Sequence, residues 1–352
     1  MFQEETNDAI ALLQQLIAIQ SYSKEENVAA NFLERYIEIK GYVVSRTDNN
    51  VWIFSPGFDA SRSTVLLNSH IDTVKPVAGW VRDPFSPTID KGKLFGLGSN
   101  DAGASVVSLL QTFFILTKKQ QYYNLIFAAS AEEEISGKNG MESLLQELPK
   151  IDFAIVGEPT GMNMAVAEKG LMVLDCVSTG IAGHAARNEG ENAIYKALED
   201  VSWFKNYEFR KKSELLGEVK MTVTQINAGT QHNVVPDKCT FVVDVRSNEM
   251  YSNQEVLNEI LRQVSCDVQP RSTRLTSTAT PLNHPIVKRG RELNRSVYGS
   301  PTLSDQTLMS FPSMKMGPGE SSRSHTADEF ILLEEIGEAI EIYVNLLDGL
   351  EI

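Results

Sequence analysis

Leu66-Leu67-Asn68-Ser69-His70-Ile71-Asp72-Thr73 is the stretch on which the reading of this chain turns. The apolar run that leads into it from Thr64 has no polar alternation, the pattern of a strand covered on both faces in an α/β sheet. It ends abruptly at a histidine. An aspartate follows two places later, so in an extended chain His70 and Asp72 leave the same face. A histidine beside a carboxylate that can fix its tautomer is a metal ligand with an orienting partner. Two more runs repeat the theme: Asn124 to Ala129 leads into Ser130-Ala131-Glu132-Glu133-Glu134, and Asp152 to Val156 into Gly157-Glu158-Pro159-Thr160. Each delivers acidic or histidine residues just past its end, where open α/β sheets hold their ligands. The spacing between runs leaves room for the helix that a parallel crossover requires.

Working outward, Thr6 or Asn7 is expected to cap a first helix with Ile10, Leu13, Leu16 and Ile17 at helical spacing. Ser23 and Glu26 have the spacing of a capping box for a second helix, whose face would hold Val28, Ala29, Phe32, Leu33, Tyr36 and Ile37, with Gly41 closing it. Gly96 to Gly103 leads into the apolar helix Ala104 to Leu116, so Asp101 stands at a loop-to-helix junction. From about Glu168 the pattern changes: Leu171 to Ser178 alternates, Asn192 to Phe204 is an amphipathic helix, and Lys220 to Ile226 and Thr240 to Val245 are strands. A helix from Val256 to Val264 and a strand from Arg274 to Thr278 would complete a β-α-β-β-α-β order, that of a ferredoxin-like sandwich. Buried α/β character then returns. The expected division is therefore residues 1–167 and 279–352 as one α/β domain, with 168–278 inserted as a second.

The net charge of −14 argues against nucleic acid or anionic membrane as a partner, since both select clustered Lys and Arg. There is no basic n-region followed by an apolar core at the N-terminus, and no apolar run of membrane-spanning length. Cys176, Cys239 and Cys266 are widely spaced and odd in number, which suits buried reduced thiols in a cytoplasmic protein better than a disulfide framework or a cysteine zinc site.

His70, Asp101, Glu132 to Glu134, Glu158 and His325 are the candidates for chemistry. Two histidines with several carboxylates suit Zn²⁺, Co²⁺ or Mn²⁺. One shared carboxylate is enough to hold two such ions about 3.5 to 4 Å apart, the arrangement that hydrolyses amides and esters. A spare carboxylate must then act as base. Gly96 to Gly103 fits a dinucleotide loop poorly, because Asp101 stands where the third glycine of GxGxxG belongs, and no Gly-x-Ser-x-Gly elbow supplies a serine nucleophile.

Taken in order, His70-Ile71-Asp72-Thr73-Val74, Gly96-x-Gly-x-x-Asp101, the glutamate pair before Ile135-Ser136-Gly137, Gly157-Glu158-Pro159-Thr160 and Ser324-His325-Thr326 resemble the motifs of the dinuclear zinc deacylase and peptidase family. That family includes acetylornithine deacetylase, succinyl-diaminopimelate desuccinylase and aminoacylase. The resemblance implies a zinc-peptidase-like catalytic domain with an inserted lid and dimerisation domain, and two Zn²⁺, with Co²⁺ or Mn²⁺ as substitutes. It implies His70 and Glu158 on one metal, Glu134 and His325 on the other, and Asp101 between them. Asp72 would orient His70 and Glu133 would be the general base. The alternative register makes Glu132 the base and Glu133 the ligand. In the inserted domain the resemblance assigns His184 to oxyanion stabilisation across a homodimer, Asn233 and Arg246 to substrate binding, and Gly319 to the substrate loop. Leu97 and Ala102 depart from the family's usual residues without removing a ligand. The Met316-Gly317-Pro318-Gly319 loop and Asp328-Glu329 after the histidine look closest to acetylornithine deacetylases, so the implied substrate is a small N-acyl amino acid. N-acetylornithine, in arginine biosynthesis, comes first; N-succinylornithine or N-acylcitrullines are rivals, and a succinyl-diaminopimelate desuccinylase or a metallo-carboxypeptidase or aminoacylase of the same family is the further alternative. Arg187 and Arg323 are the candidate cations for a second substrate carboxylate.

Overall fold

The structure is a computed structural model that describes residues 2–352. The chain divides into two compact units. One contains the chain up to Val166, Ala279–Tyr298 and Ser304–Ile352; the other contains Ala167–Thr278 and Gly299–Leu303. The sequence pattern grouped Gly299–Leu303 with the C-terminal segment, but it packs with the second unit, where Ser300 O accepts from Lys169 N at 3.1 Å.

The first unit is built on an open sheet with a parallel centre. Thr64–His70 lies between Asn124–Ser130 and Phe153–Val156, and Ser313–Lys315 follows beyond the last, all four parallel. Asn50–Phe54 and Val44–Thr47 extend one side antiparallel, and Met164–Glu168 pairs antiparallel on the other. Every residue of Thr64–His70 and of Asn124–Ser130 is buried, which is why neither run alternates. The Ala104–Leu116 helix is buried at all positions but Ile115. Each apolar side chain withdrawn from water stabilises by about 1.5–3 kcal/mol, and Val106, Val107, Leu109, Leu110, Phe113 and Leu116 are all withdrawn completely. That anchors the junction at which Asp101 sits. The strand register completes the arrangement: His70 pairs with Ser130 and Asn68 with Val156, so the His70, Glu133 and Glu158 segments emerge level at one edge.

Both expected helix starts are corrected. The first helix, Gln3–Ile17, begins ahead of Thr6, whose Oγ1 and N both donate to Phe2 O and so lie inside the first turn. The second, Asn27–Ile39, has no capping box. Ser23 Oγ donates instead to Asp72 Oδ2 at 2.7 Å, and Glu26 accepts from Glu132 N at 3.1 Å and Asn49 Nδ2 at 2.8 Å. Both side chains serve the strand ends rather than their own helix. Val28, expected on the apolar face, is exposed.

The second unit is a four-stranded antiparallel sheet in the order Lys220–Ala228, Lys238–Arg246, Met172–Thr179, Asp267–Pro270. With the helices Ala193–Asn206 and Asn253–Gln263 it has the β-α-β-β-α-β order of a ferredoxin-like sandwich. The last strand lies earlier than the Arg274 to Thr278 run, which is held at its start by Asn253 Nδ2 donating to Leu275 O and, just ahead of it, to Thr273 O. Cys176, Cys239 and Cys266 are buried and free. No helix among the described residues is long and apolar enough to cross a membrane.

Candidate metal centre

At the level edge of the sheet, five side chains fall into two groups. His70, Asp101 and Glu158 bring one ligand atom each within 4.8 Å of one another, and so do Asp101, Glu134 and His325. Asp101 belongs to both. His70 Nε2 lies 3.2 Å from Asp101 Oδ1 and 3.8 Å from Glu158 Oε1, while His325 Nε2 lies 3.0 Å from Glu134 Oε2 and 3.7 Å from Asp101 Oδ2. Glu133 stands beside both groups and in neither, its Oε2 4.0 Å from His70 Nε2.

Local backbone dictates which glutamate of the triplet faces in. Glu132 and Ser136 both adopt left-handed φ, of 54° and 47°, and bracket the short turn Glu133–Ile135. The reversal at Glu132 sends its side chain the other way, where Oε1 accepts from Asn139 Nδ2 at 2.9 Å. Asp72 fixes the turn from below: its two carboxylate oxygens accept from Glu133 N and Glu134 N at 3.0 and 3.1 Å. The His70 ring meets Asp72 through Nδ1, 2.9 Å from the Asp72 carbonyl and 3.4 Å from its carboxylate. The carboxylate therefore organises the glutamate turn more directly than it orients the imidazole.

Glu329 is a residue that the sequence motifs left without a role. It is buried, and its carboxylate accepts from Gly98 N, Asn100 N and Asp101 N at 3.1, 2.8 and 2.9 Å. It thus holds the backbone that presents Asp101. Gly319, at φ +84°, lies against Asn100; a Cβ there would collide with Asn100 Oδ1. Only glycine suits that close approach.

The electrostatics fit divalent cations. Burial, then the charge of Glu158, pushes the Glu133 carboxyl well above its usual range, and burial does the same for Glu158. Burial opposes protonation of His70, yet Asp101, Asp72 and the nearby glutamates lift it well above its ordinary value. Glu134 raises His325 to about 9. Two carboxylates 4 Å apart repel by about 4 kcal/mol at an effective dielectric near 20. Glu158 Oε1 is buried without a hydrogen-bond partner, a state that burial makes costly. Protons can relieve such a cluster, and so can cations coordinated by the same atoms. Two histidines and three carboxylates are a ligand set for zinc-like ions.

The residues assigned to the inserted region lie in the second unit. His184 belongs to the two-residue strand Gly183–His184, pairs with Val234, and is exposed; Asn233 O accepts from Ala185 N at 3.0 Å. Arg246 ends its strand and is clamped by Asp244 through Nε and Nη2, at 2.8 and 3.1 Å. Of the two candidate cations for a second carboxylate, Arg323 is already engaged. It donates to both Glu335 oxygens, at 2.7 and 3.1 Å, and lies over the Phe330 ring. Arg187 is exposed, 3.8 Å from Glu189.

A parallel-centred α/β unit with paired histidine and carboxylate groups at the strand ends defines a metal-dependent hydrolase of the two-metal kind. Residues 66–349 match the model of Peptidase family M20/M25/M40, and the chain belongs to that family. It is 26% identical to succinyl-diaminopimelate desuccinylase of Corynebacterium glutamicum, over 97% of this chain and 96% of the relative. It is 27% identical to acetylornithine deacetylase of Proteus mirabilis, again over 97% and 96%. Among solved structures, aminopeptidase PepT of Bacillus cereus superposes with a TM-score of 0.79 at 19% identity, covering 98% of each chain. The YXEP protein of Bacillus subtilis, described as a dinuclear metal-binding peptidase of the M20 family, gives 0.76 at 16% identity over 99% of each.

Proposed function

We propose that this protein hydrolyses the amide bond of an N-acyl amino acid, with an N-acylornithine as the substrate and arginine biosynthesis as its setting. The observation that carries the reading is the pair of ligand groups sharing Asp101 while Glu133 is left over beside them. His70 and Glu158 would hold one divalent cation and Glu134 and His325 the other, with Asp101 belonging to both groups; zinc is the expected metal. Such ions, when bound, would supply polarisation of the scissile carbonyl and a lowered pKa for the attacking water. Glu133 takes a proton from the attacking water as its oxygen bonds to the carbonyl carbon, and returns it to the leaving nitrogen as the C–N bond breaks, so water and amide become carboxylate and ammonium. Its burial and the neighbouring carboxylates suit it to holding that proton between the two steps. Asp72 keeps Glu133 and Glu134 in place through their backbone N–H groups. Arg246, held by Asp244, takes the α-carboxylate, Asn233 and the Gly319 loop contact substrate polar groups, and His184 stabilises the oxyanion from the partner of a homodimer. The Lys220–Ala228 strand supports dimer formation: it is a sheet edge, exposed on both faces from Thr224 onward.

Metal-loaded and chelated enzyme tested against N-acetylornithine, N-succinylornithine, N-acetylcitrulline and succinyl-diaminopimelate checks the reading. Hydrolysis of an acylornithine that is lost on chelation and restored by Zn²⁺ or Co²⁺ is the expected result. No cleavage of any of the four with metal present would overturn it.

A further inference from the structure

The second unit carries a concentration of positive charge that the reaction described above uses only in part. In the antiparallel register Lys220 stands directly opposite Arg246. Gly170 N donates to Ser247 O at 3.2 Å, which brings Lys169 alongside the same strand end, and Lys169 Nζ donates to the Glu218 carbonyl at 2.8 Å. Three cations therefore gather at one end of one sheet. The carboxylates close by are already taken: Asp244 holds Arg246 with two bonds, and Glu218 holds Lys212. Neither Lys169 nor Lys220 forms an ion pair among the described residues. Burial, and then the charges of Lys220 and Arg246, hold the Lys169 ammonium below its usual range. Two lysines without an ion pair beside Arg246 leave an excess of positive charge there, which an anion relieves.

We infer that Lys169, Lys220 and Arg246 form a carboxylate subsite, and that the substrate carries a second carboxylate at the far end of its acyl chain, as a succinyl group does and an acetyl group does not. Side chains directly opposite across an antiparallel pair have Cβ atoms about 4.5–5.5 Å apart, a span that lets a small dicarboxylate meet Arg246 with one end and the lysines with the other. Arg246 takes the α-carboxylate, as proposed, and the two lysines take the acyl-chain carboxylate. The identity of the ligand rests on the deacylase reading; the subsite is a property of the second unit alone. It also moves the choice between acyl groups away from acetyl, toward which the Gly317-Pro318-Gly319 loop pointed, because that loop holds no cation.

The test compares kcat/KM for N-succinylornithine and N-acetylornithine in the zinc-loaded wild type and in Lys169→Met, Lys220→Met and Lys220→Arg. The succinyl-to-acetyl ratio should exceed one in the wild type, fall by about 10- to 100-fold in the methionine variants, as loss of a charged hydrogen bond implies, and stay near wild type in Lys220→Arg. A ratio unmoved by both methionine variants overturns the subsite. Calorimetric titration with succinate and with acetate gives a second reading that needs no turnover. Succinate should bind the wild type at least about tenfold more tightly than it binds Lys220→Met, with acetate unaffected, and equal succinate affinity overturns the proposal. If neither acylornithine is cleaved, the choice of ornithine as the amino acid falls and the succinate titration still decides the subsite.

Discussion

Two adjacent glutamates with opposite surroundings show how finely the backbone assigns chemistry here. Glu132 is buried and spends its carboxylate on Asn139, while Glu133 faces the ligand groups and is pushed up by burial and by Glu158. The proposed roles therefore separate by measurement. Glu133→Gln should lower kcat by about 10² to 10⁴ while metal content and thermal midpoint stay close to wild type, the signature of a lost general base. Glu132→Gln keeps the shape but puts an amide where Asn139 donates, and should cost about 1–3 kcal/mol of stability with kcat largely retained. If Glu132→Gln instead lowers kcat at unchanged metal content while Glu133→Gln loses metal, the other register holds. Nothing in the letters Glu-Glu-Glu distinguishes them, since the deciding feature is the left-handed φ at Glu132 and Ser136, which neither residue type announces. Glu329 is a similar case. Its three donors come from Gly98 to Asp101, more than two hundred residues earlier, a contact that only the tertiary fold supplies.

At the level of elements, what could be read from the chain follows from burial. The Thr64–His70 and Asn124–Ser130 strands were legible because strands covered on both faces must be apolar throughout, and their polar ends then stand out. The Asn27–Ile39 helix start was misread because Ser23 and Glu26 satisfy a local rule and then serve a distant need. Glu26 is buried and accepts from Lys24 N, Glu132 N and Asn49 Nδ2. Replacing it by alanine leaves the Glu132 and Lys24 amides unpaired, so Glu26→Ala should lower stability by about 2–3 kcal/mol. A fall in the urea midpoint at unchanged slope measures it. A loss of only a few tenths would mean that the amides Glu26 accepts from find other partners, since its side chain makes no capping bond to its own helix.

Across the whole molecule the proposed machinery is shared between units that differ in kind. The metal ligands, Glu133, Asp72 and Gly319 belong to the α/β unit, and His184, Asn233 and Arg246 to the antiparallel one. His184 is exposed and has no acidic or metal-binding partner among the described residues, which suits an imidazole whose reaction partner lies on another chain. Complementation tests this directly. His184→Ala alone should lose about 10² or more in kcat if its imidazole stabilises the oxyanion, and Glu133→Ala alone should be nearly inactive. In a heterodimer of the two, the His184→Ala chain keeps its own Glu133 and receives the intact histidine of its partner, so one site of two is whole. Random pairing of equal amounts gives half heterodimers, and so about one quarter of wild-type activity. Action within a single chain leaves both sites of the heterodimer defective, because each chain then lacks one of the two groups. Recovery near one quarter after the two inactive variants are unfolded and refolded together supports the exchange; a mixture as inactive as its components rules it out.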